Sequence, residues 1–225
     1  MKQENLDMLA VLREAGTAVI SDVFDNLGME PLALANDLWP TKGERQKPFA
    51  GPAYTVNGVW KQGPLKGDRD KLQAIDDMLK GSVAVWAANG AQGICCFGDL
   101  LATAMKHRGV AGVVVDGGVR DLGFLRGLDL PMMIAYRTPV QALGRWKVTE
   151  CQGPVTVRGA IAESVTILPG DIIVADDDGV IAVPSVRARE FADLAASWES
   201  KDRAARDDIA NGMKLIDAVD KHGSL

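Results

Sequence analysis

Between positions 83 and 135 the chain alternates two kinds of segment, and that alternation restricts the fold more than any other feature. Residues 83–87, 110–115 and 131–135 are short runs that read as strands, and 110–115, β-branched and apolar at consecutive positions, is expected to be buried on both faces. Between them lie amphipathic stretches. One runs from Asp99 to about Arg108 with Gly109 as its stop, and another opens at Arg120-Asp121 after an expected turn at Gly117-Gly118. Strand–helix–strand–helix–strand in so short a space predicts an α/β fold with a parallel βαβ core.

The flanks carry weaker signals. Residues 5–15 read as a helix stopped by Gly16, and 23–27 as a second one capped by Ser21-Asp22 and closed by Gly28. Residues 31–49 read as loop, 52–59 as a strand, 69–79 as a helix ended by Gly81, and 89–93 as a glycine-bearing loop. After Pro139 the character changes to a β-rich half, with short runs at 155–157, 165–167, 172–175 and 180–183. Asp178-Gly179 is a hairpin signal; Asp176-Asp177-Asp178-Gly179 lacks the spacing and terminal Glu of a calcium loop and reads as a turn. Ser185 is expected to cap a long helix to about Ala210, broken at Gly212 and packed on the body or on a partner subunit. No repeat or separating linker is seen, so residues 1–225 read as a single domain.

Composition narrows the chemistry. Hydrophobic residues at 47% and charged residues at 24% are those of a globular chain. A formal charge of −5 argues against a nucleic-acid partner, which would need a basic face. No apolar run is long enough to span a bilayer and the start lacks signal-peptide character, so a cytoplasmic location without a membrane partner is expected. With only His107 and His222 available, any metal would be held mainly by carboxylates and water, favouring Mg²⁺ or Mn²⁺ over Zn²⁺. Cys95, Cys96 and Cys151 form neither a disulfide framework nor a zinc pattern; the adjacent pair reads as core, with a thiol enzyme as the alternative.

The candidate site follows from connectivity. Asp99 comes after the strand at 83–87 and Arg120-Asp121 after the strand at 110–115, and right-handed crossovers make those strands neighbours. The three residues should converge outside the carboxyl ends of adjacent strands, where α/β proteins bind ligands. Helix N-termini offer free N–H groups, Arg120 a planar fork for a carboxylate, and Asp121 an oxygen ligand for a divalent cation. Together they suit a small oxyacid such as a 2-oxo acid. The plainer readings are a simple N-cap for Asp99 and a surface ion pair for Arg120-Asp121. Gly117-Gly118 lacks the rest of a dinucleotide fingerprint, and Lys106 and His107 read as solvated or capping groups rather than a Schiff-base lysine and a general base.

Nearly the whole chain resembles the metal-dependent class II pyruvate aldolases of 4-hydroxy-4-methyl-2-oxoglutarate and 4-carboxy-4-hydroxy-2-oxoadipate, a family that includes the regulator of ribonuclease activity A. The resemblance is carried by SDVFDNLG (21–28), FAGPAYTV (49–56), GDLLATAMKHRGVAGVVVDGGVRD (98–121), LPMMIAYRTP (130–139) and LPGDIIVADDDGVIAVP (168–184). Asp99, Arg120 and Asp121 fill the family's Asp-x20-Arg-Asp signature. The resemblance implies Asp121 as direct metal ligand, Arg120 as clamp on the pyruvyl group, and Asp99 as an acid ordering the metal's waters. It also implies substrate binding at Gly98 and by the N–H groups of Leu100 and Leu101. A water-mediated metal ligand would come from a neighbouring subunit, with Glu199 the candidate. The implied fold is a swivelling phosphohistidine-domain-like α/β sandwich, assembled as a homotrimer or homohexamer. The implied reaction is retro-aldol cleavage with Mg²⁺ or Mn²⁺, with possible oxaloacetate decarboxylation. The alternatives are a non-catalytic regulator that binds a ribonuclease or another protein, and a Schiff-base aldolase.

Overall fold

A computed structural model of the chain describes residues 3–43 and 47–223; positions 44–46 of the expected loop, and the two residues at either end, lie outside the described residues. The centre is a mixed sheet built on β2 (Phe49–Trp60), β3 (Val83–Ala87), β5 (Gly112–Val119) and β6 (Met132–Arg137), which run parallel in the order β6-β5-β3-β2. Three helices connect them: α2 (Arg69–Asp76), α3 (Asp99–Arg108) and the single turn α4 (Leu122–Leu125). The parallel core read from the apolar runs is therefore present.

Consecutive residues of these strands point into different cores, which explains why their runs do not alternate with polar residues. Ala84, Trp86, Val113, Val115 and Met132 pack under α2, α3 and α4. Val83, Val85, Val114 and Met133 face the opposite side, where β8 (Val155–Arg158) and β9 (Ser164–Ile167) form a two-stranded ribbon. A third apolar layer is separate from both. It joins α1 (Gln3–Asn26) and α5 (Ala188–Ala210) to β10 (Ile172–Ala175) and β11 (Val180–Val183). The long strand β2 links these parts. Phe49–Pro52 pair with β10, and the following residues pair with β3.

Several local expectations are corrected. Gly117-Gly118 is no turn, because β5 continues through it to Val119. A Cβ on Gly118 would lie 2.2 Å from the Ile94 carbonyl oxygen, and one on Gly117 would lie 2.6 Å from the Ala88 Cβ. The pair thus serves close approach, letting β4 (Cys95–Phe97) lie beside the end of β5 with Cys95 opposite Gly118. The expected loop at 31–49 contains a short strand, β1 (Trp39–Pro40), on the edge of β6. The unassigned stretch after Pro139 supplies β7 (Trp146–Cys151), antiparallel to the end of β2. Ser185 opens one 3₁₀ turn rather than the long helix; its N–H donates to the buried Asp171 at 2.9 Å, and α5 begins at Ala188. A last helix, α6 (Leu215–His222), follows the break at Gly212.

At the N-terminus, Gly16 does interrupt the helix, with φ 81° and ψ 171°, but the helix resumes at once, so Ser21-Asp22 lies inside it. The cap comes from far along the chain. The Asp176 carboxylate accepts hydrogen bonds from the Thr17 N–H and hydroxyl, both at 2.7 Å, and from the Asp178 N–H at 3.0 Å. One aspartate therefore shapes the β10–β11 turn and starts a helix that packs on those strands. Asp176→Ala removes all three hydrogen bonds. The expected loss of stability is about 2 kcal/mol, read as a lower urea midpoint at unchanged slope.

Candidate active site

Because the crossovers are parallel, α2, α3 and α4 all begin at the carboxyl edge of the sheet. The structure brings Asp99, Arg120 and Asp121 together there. The Arg120 N–H donates to the Phe97 carbonyl at 3.2 Å, extending the β4–β5 pairing to the residue before Gly98. Asp121 follows in the left-handed region at φ 62°, ψ 30°, a conformation that Asp tolerates better than most side chains but still at a cost. Its Oδ2 accepts from the Asp99 N–H and from Arg120 Nε, each at 3.3 Å. Gly98 is the N-cap of α3, and a Cβ there would stand 2.7 Å from that same Oδ2. Any larger residue would push the carboxylate off the helix end.

Asp99 is the first residue of α3 rather than its cap, and its Oδ1 accepts from the Leu100 N–H at 2.7 Å. Of the two backbone donors expected to bind substrate, the Leu100 N–H is thus already engaged. The Leu101 N–H is a first-turn donor to which the helix offers no acceptor. Leu100 itself projects outward, 79% exposed.

Arg120 and Asp121 open onto a cavity of about 430 Å³, lined also by Val119, Leu122, Arg137, Thr138 and Pro139. That volume is within the usual range for small-molecule sites. Arg137 and Thr138 were missed because the strand was expected to end at Ala135; the signal was that the residues closing β6 must reach the same edge as Asp121. Lys71, in the first turn of α2, also stands at this edge with its Nζ 5.8 Å from the Trp146 ring centre. Burial lowers its pKa, against the raising pull of Cys96 and Asp68.

Hard oxygen donors dominate the site. Asp99 and Asp121 suit Mg²⁺ or Mn²⁺, while among the described residues no three His, Cys, Asp or Glu side chains surround one point. A cation here would take most of its ligands from water and substrate. Glu199 lies on α5, which covers β10 and β11 at the other end of the strand order. It accepts from Arg203 at 2.8 Å and stands 3.9 Å from Arg206, so one protomer does not bring it to Asp121.

Burial disfavours the thiolate that a cysteine nucleophile needs. Cys95 and Cys96 are buried in β4, and burial pushes the Cys96 thiol up to about 12. Burial also raises Cys95, against the lowering pull of Arg120 and Lys71. A raised thiol in the folded state keeps a proton that the unfolded chain releases. Its contribution is therefore intact below about pH 9 and is lost as pH climbs toward 12, by at most about 1.4 kcal/mol per pH unit. Cys96→Ala is expected to decline in stability less steeply than wild type between pH 8 and 10.5, as read from urea midpoints.

Known proteins resemble the chain over most of its length. The family profile described as "RraA-like: Aldolase/RraA" matches residues 17–182. Protein DlpA of Legionella pneumophila is 29% identical over 94% of this chain, which spans 33% of DlpA's length. A Halalkalibacterium halodurans protein named "Putative 4-hydroxy-4-methyl-2-oxoglutarate aldolase" is 29% identical over 97% of this chain and 96% of its own. Among solved structures, Streptomyces coelicolor RraAS2, described as an unusual member of the RNase ES inhibitor RraA protein family, superposes with a TM-score of 0.74. It is 28% identical, over 89% of this chain and 96% of that one. With a mixed α/β fold and a family match across most of its length, this chain is a member of the RraA-like aldolase/RraA family.

Proposed function

We propose that this protein is a lyase that cleaves a 4-hydroxy-2-oxo dicarboxylic or tricarboxylic acid to pyruvate and a second oxo acid, with Mg²⁺ or Mn²⁺ as cofactor. The observation that carries the reading is the joint presentation of Arg120 and Asp121 to one open cavity, with Asp121 pinned in a strained backbone conformation beside the start of α3. A structural ion pair has no need of that arrangement.

The chain's own groups divide the work. Arg120 points a guanidinium fork at the 2-oxo acid head, where it meets the carboxylate and the negative charge that collects on the 2-oxo oxygen as the C3–C4 bond breaks. The Leu101 N–H adds a donor at the positive end of α3. Asp121 and Asp99 would hold the cation, Asp121 directly and Asp99 through water. A hard divalent ion bound there supplies Lewis acidity toward the 2-oxo acid. Bond cleavage leaves the electron pair on C3, which becomes the pyruvate methyl once protonated, while C4 becomes a carbonyl as its hydroxyl proton departs. No histidine lines the cavity, and Asp99 Oδ2 accepts no protein hydrogen bond among the described residues. A water between that oxygen and the C4 hydroxyl gives the proton a path. Loss of CO₂ from oxaloacetate leaves the same electron pair on C3, so decarboxylation belongs to the same site.

Assembly as a homotrimer or homohexamer belongs to this reading, with Glu199 of one chain supplying a carboxylate to the next. That role requires Glu199 to exchange Arg203 for the neighbouring site. The second reading, a regulator that binds a ribonuclease or another protein without catalysis, is favoured by the likeness to RraAS2.

The test is pyruvate release from 4-hydroxy-4-methyl-2-oxoglutarate and from oxaloacetate, coupled to lactate dehydrogenase. Release is expected with Mg²⁺ or Mn²⁺ and loss with EDTA. Asp121→Ala and Arg120→Ala are each expected to lower kcat/KM by at least about 100-fold while the thermal midpoint stays within a few degrees. Activity that survives EDTA and is trapped by borohydride would instead mean a Schiff-base enzyme. Wild type inactive on both compounds, yet bound to a ribonuclease, would favour the regulator.

A further inference from the structure

The cavity is lined by a second guanidinium, that of Arg137, which has no side-chain partner among the described residues. Arg137 closes β6, in parallel register with Val119, the residue before Arg120, so the two arginines stand on adjacent strands at one edge. Both line the same cavity. Their surroundings differ: Arg120 leans on Asp121 at 3.3 Å, whereas Arg137 is exposed and, among the described residues, makes no ion pair or hydrogen bond through its side chain. By contrast, Arg108 is tied to Asp76, Arg126 to the Thr41 carbonyl and Arg158 of β8 to Asp37 and Asp116. The neighbouring polar group on the rim is also committed. The Thr138 N–H donates to the Val119 carbonyl and its hydroxyl to the Gly93 carbonyl. Arg137 is therefore the rim group with a full set of free donors.

A planar guanidinium fork without a side-chain partner among the described residues, on the rim of the cavity that Arg120 also lines, is suited to a second carboxylate. We propose that Arg137 is the specificity-determining residue of the site, pairing with the second carboxylate of a 2-oxo acid whose first carboxylate is taken by Arg120. This assignment rests on the lyase reading for its reaction, but its binding content stands apart from catalysis. An arginine fork on the strand beside Arg120 would select dicarboxylates by holding the second carboxylate while Arg120 holds the first.

The experiment compares substrates that share a head and differ at the tail: 4-hydroxy-2-oxoglutarate, ending in a carboxylate, and 4-hydroxy-2-oxopentanoate, ending in a methyl. In Arg137→Gln the ratio of their kcat/KM values is expected to fall about 10- to 100-fold toward the methyl compound, mostly through KM for the carboxylate, with partial recovery in Arg137→Lys. An unchanged ratio, with both substrates impaired equally, would show a merely structural role and overturn the assignment. If wild type releases pyruvate from neither compound, the lyase reading has failed, and calorimetric titration with 2-oxoglutarate and 2-oxopentanoate in Mg²⁺ decides the residue's role alone. A preference for 2-oxoglutarate that collapses in Arg137→Gln sustains Arg137 as the second carboxylate's partner. Absence of that preference, or of any binding, overturns it.

Discussion

Everything at the carboxyl edge depends on how closely β4 can approach the end of β5. Cys95 and Phe97 pair with Gly118 and Val119 only because Gly118 has no side chain, since a Cβ would meet the Ile94 carbonyl at 2.2 Å and the Tyr136 ring at 2.6 Å. That pairing continues through the Arg120 N–H to Phe97 and so sets where Gly98 lies. Gly98 in turn leaves just enough room for the Asp121 carboxylate to reach the first N–H of α3. A chain of close backbone approaches, rather than any strong ion pair, thus sets the position of the proposed metal ligand. The one ion pair in the group, Arg120 with Asp121, is partly open to water and worth little by itself.

Where a property is decided locally or by handedness, the sequence was readable. The β-branched run at 110–115 reads as a strand buried on both faces, and the right-handed crossover rule then places Asp99 next to Arg120 and Asp121 without any coordinates. Where a distant partner decides, it was not. Gly117-Gly118 has the composition of a turn, and only the presence of Ala88, Ile94 and Tyr136 alongside makes it a strand. Ser21-Asp22 is a sound N-cap by local rules, yet Asp176 caps the helix four residues earlier from the far side of the fold. Trp146, which begins β7, is buried because Gly58 admits its ring, a pairing no periodicity announces. Arg137 was lost to a strand boundary drawn two residues short. Glu199 is of another kind: its proposed role depends on a neighbouring chain, and within its own chain Arg203 satisfies it.

The alternatives fare unequally for physical reasons. A thiol nucleophile needs a thiolate near neutral pH, and burial in β4 moves Cys96 the other way. A Schiff-base lysine needs an uncharged amine facing substrate, whereas Lys106 is spent on Asp129 at 3.0 Å at the opposite end of α3. Lys71 has the lowered pKa such chemistry favours, but its ammonium lies over Trp146 on the side of Cys96, and the cavity-facing cations are Arg120 and Arg137, which cannot form imines.

The two family activities need not compete for the same atoms. The lyase reading uses the carboxyl edge of β5 and β6, while the α1–α5 layer over β10 and β11 has its own apolar core, which contains none of the cavity-lining residues named above. A surface on that layer could change to suit a protein partner without moving Asp121. The reverse is not true. Because the Asp121 carboxylate is placed by backbone contacts among β4, β5 and α3, loss of catalysis by drift would start with side chains that merely line the cavity. Arg137 is the least encumbered of these, because no side-chain partner among the described residues holds it.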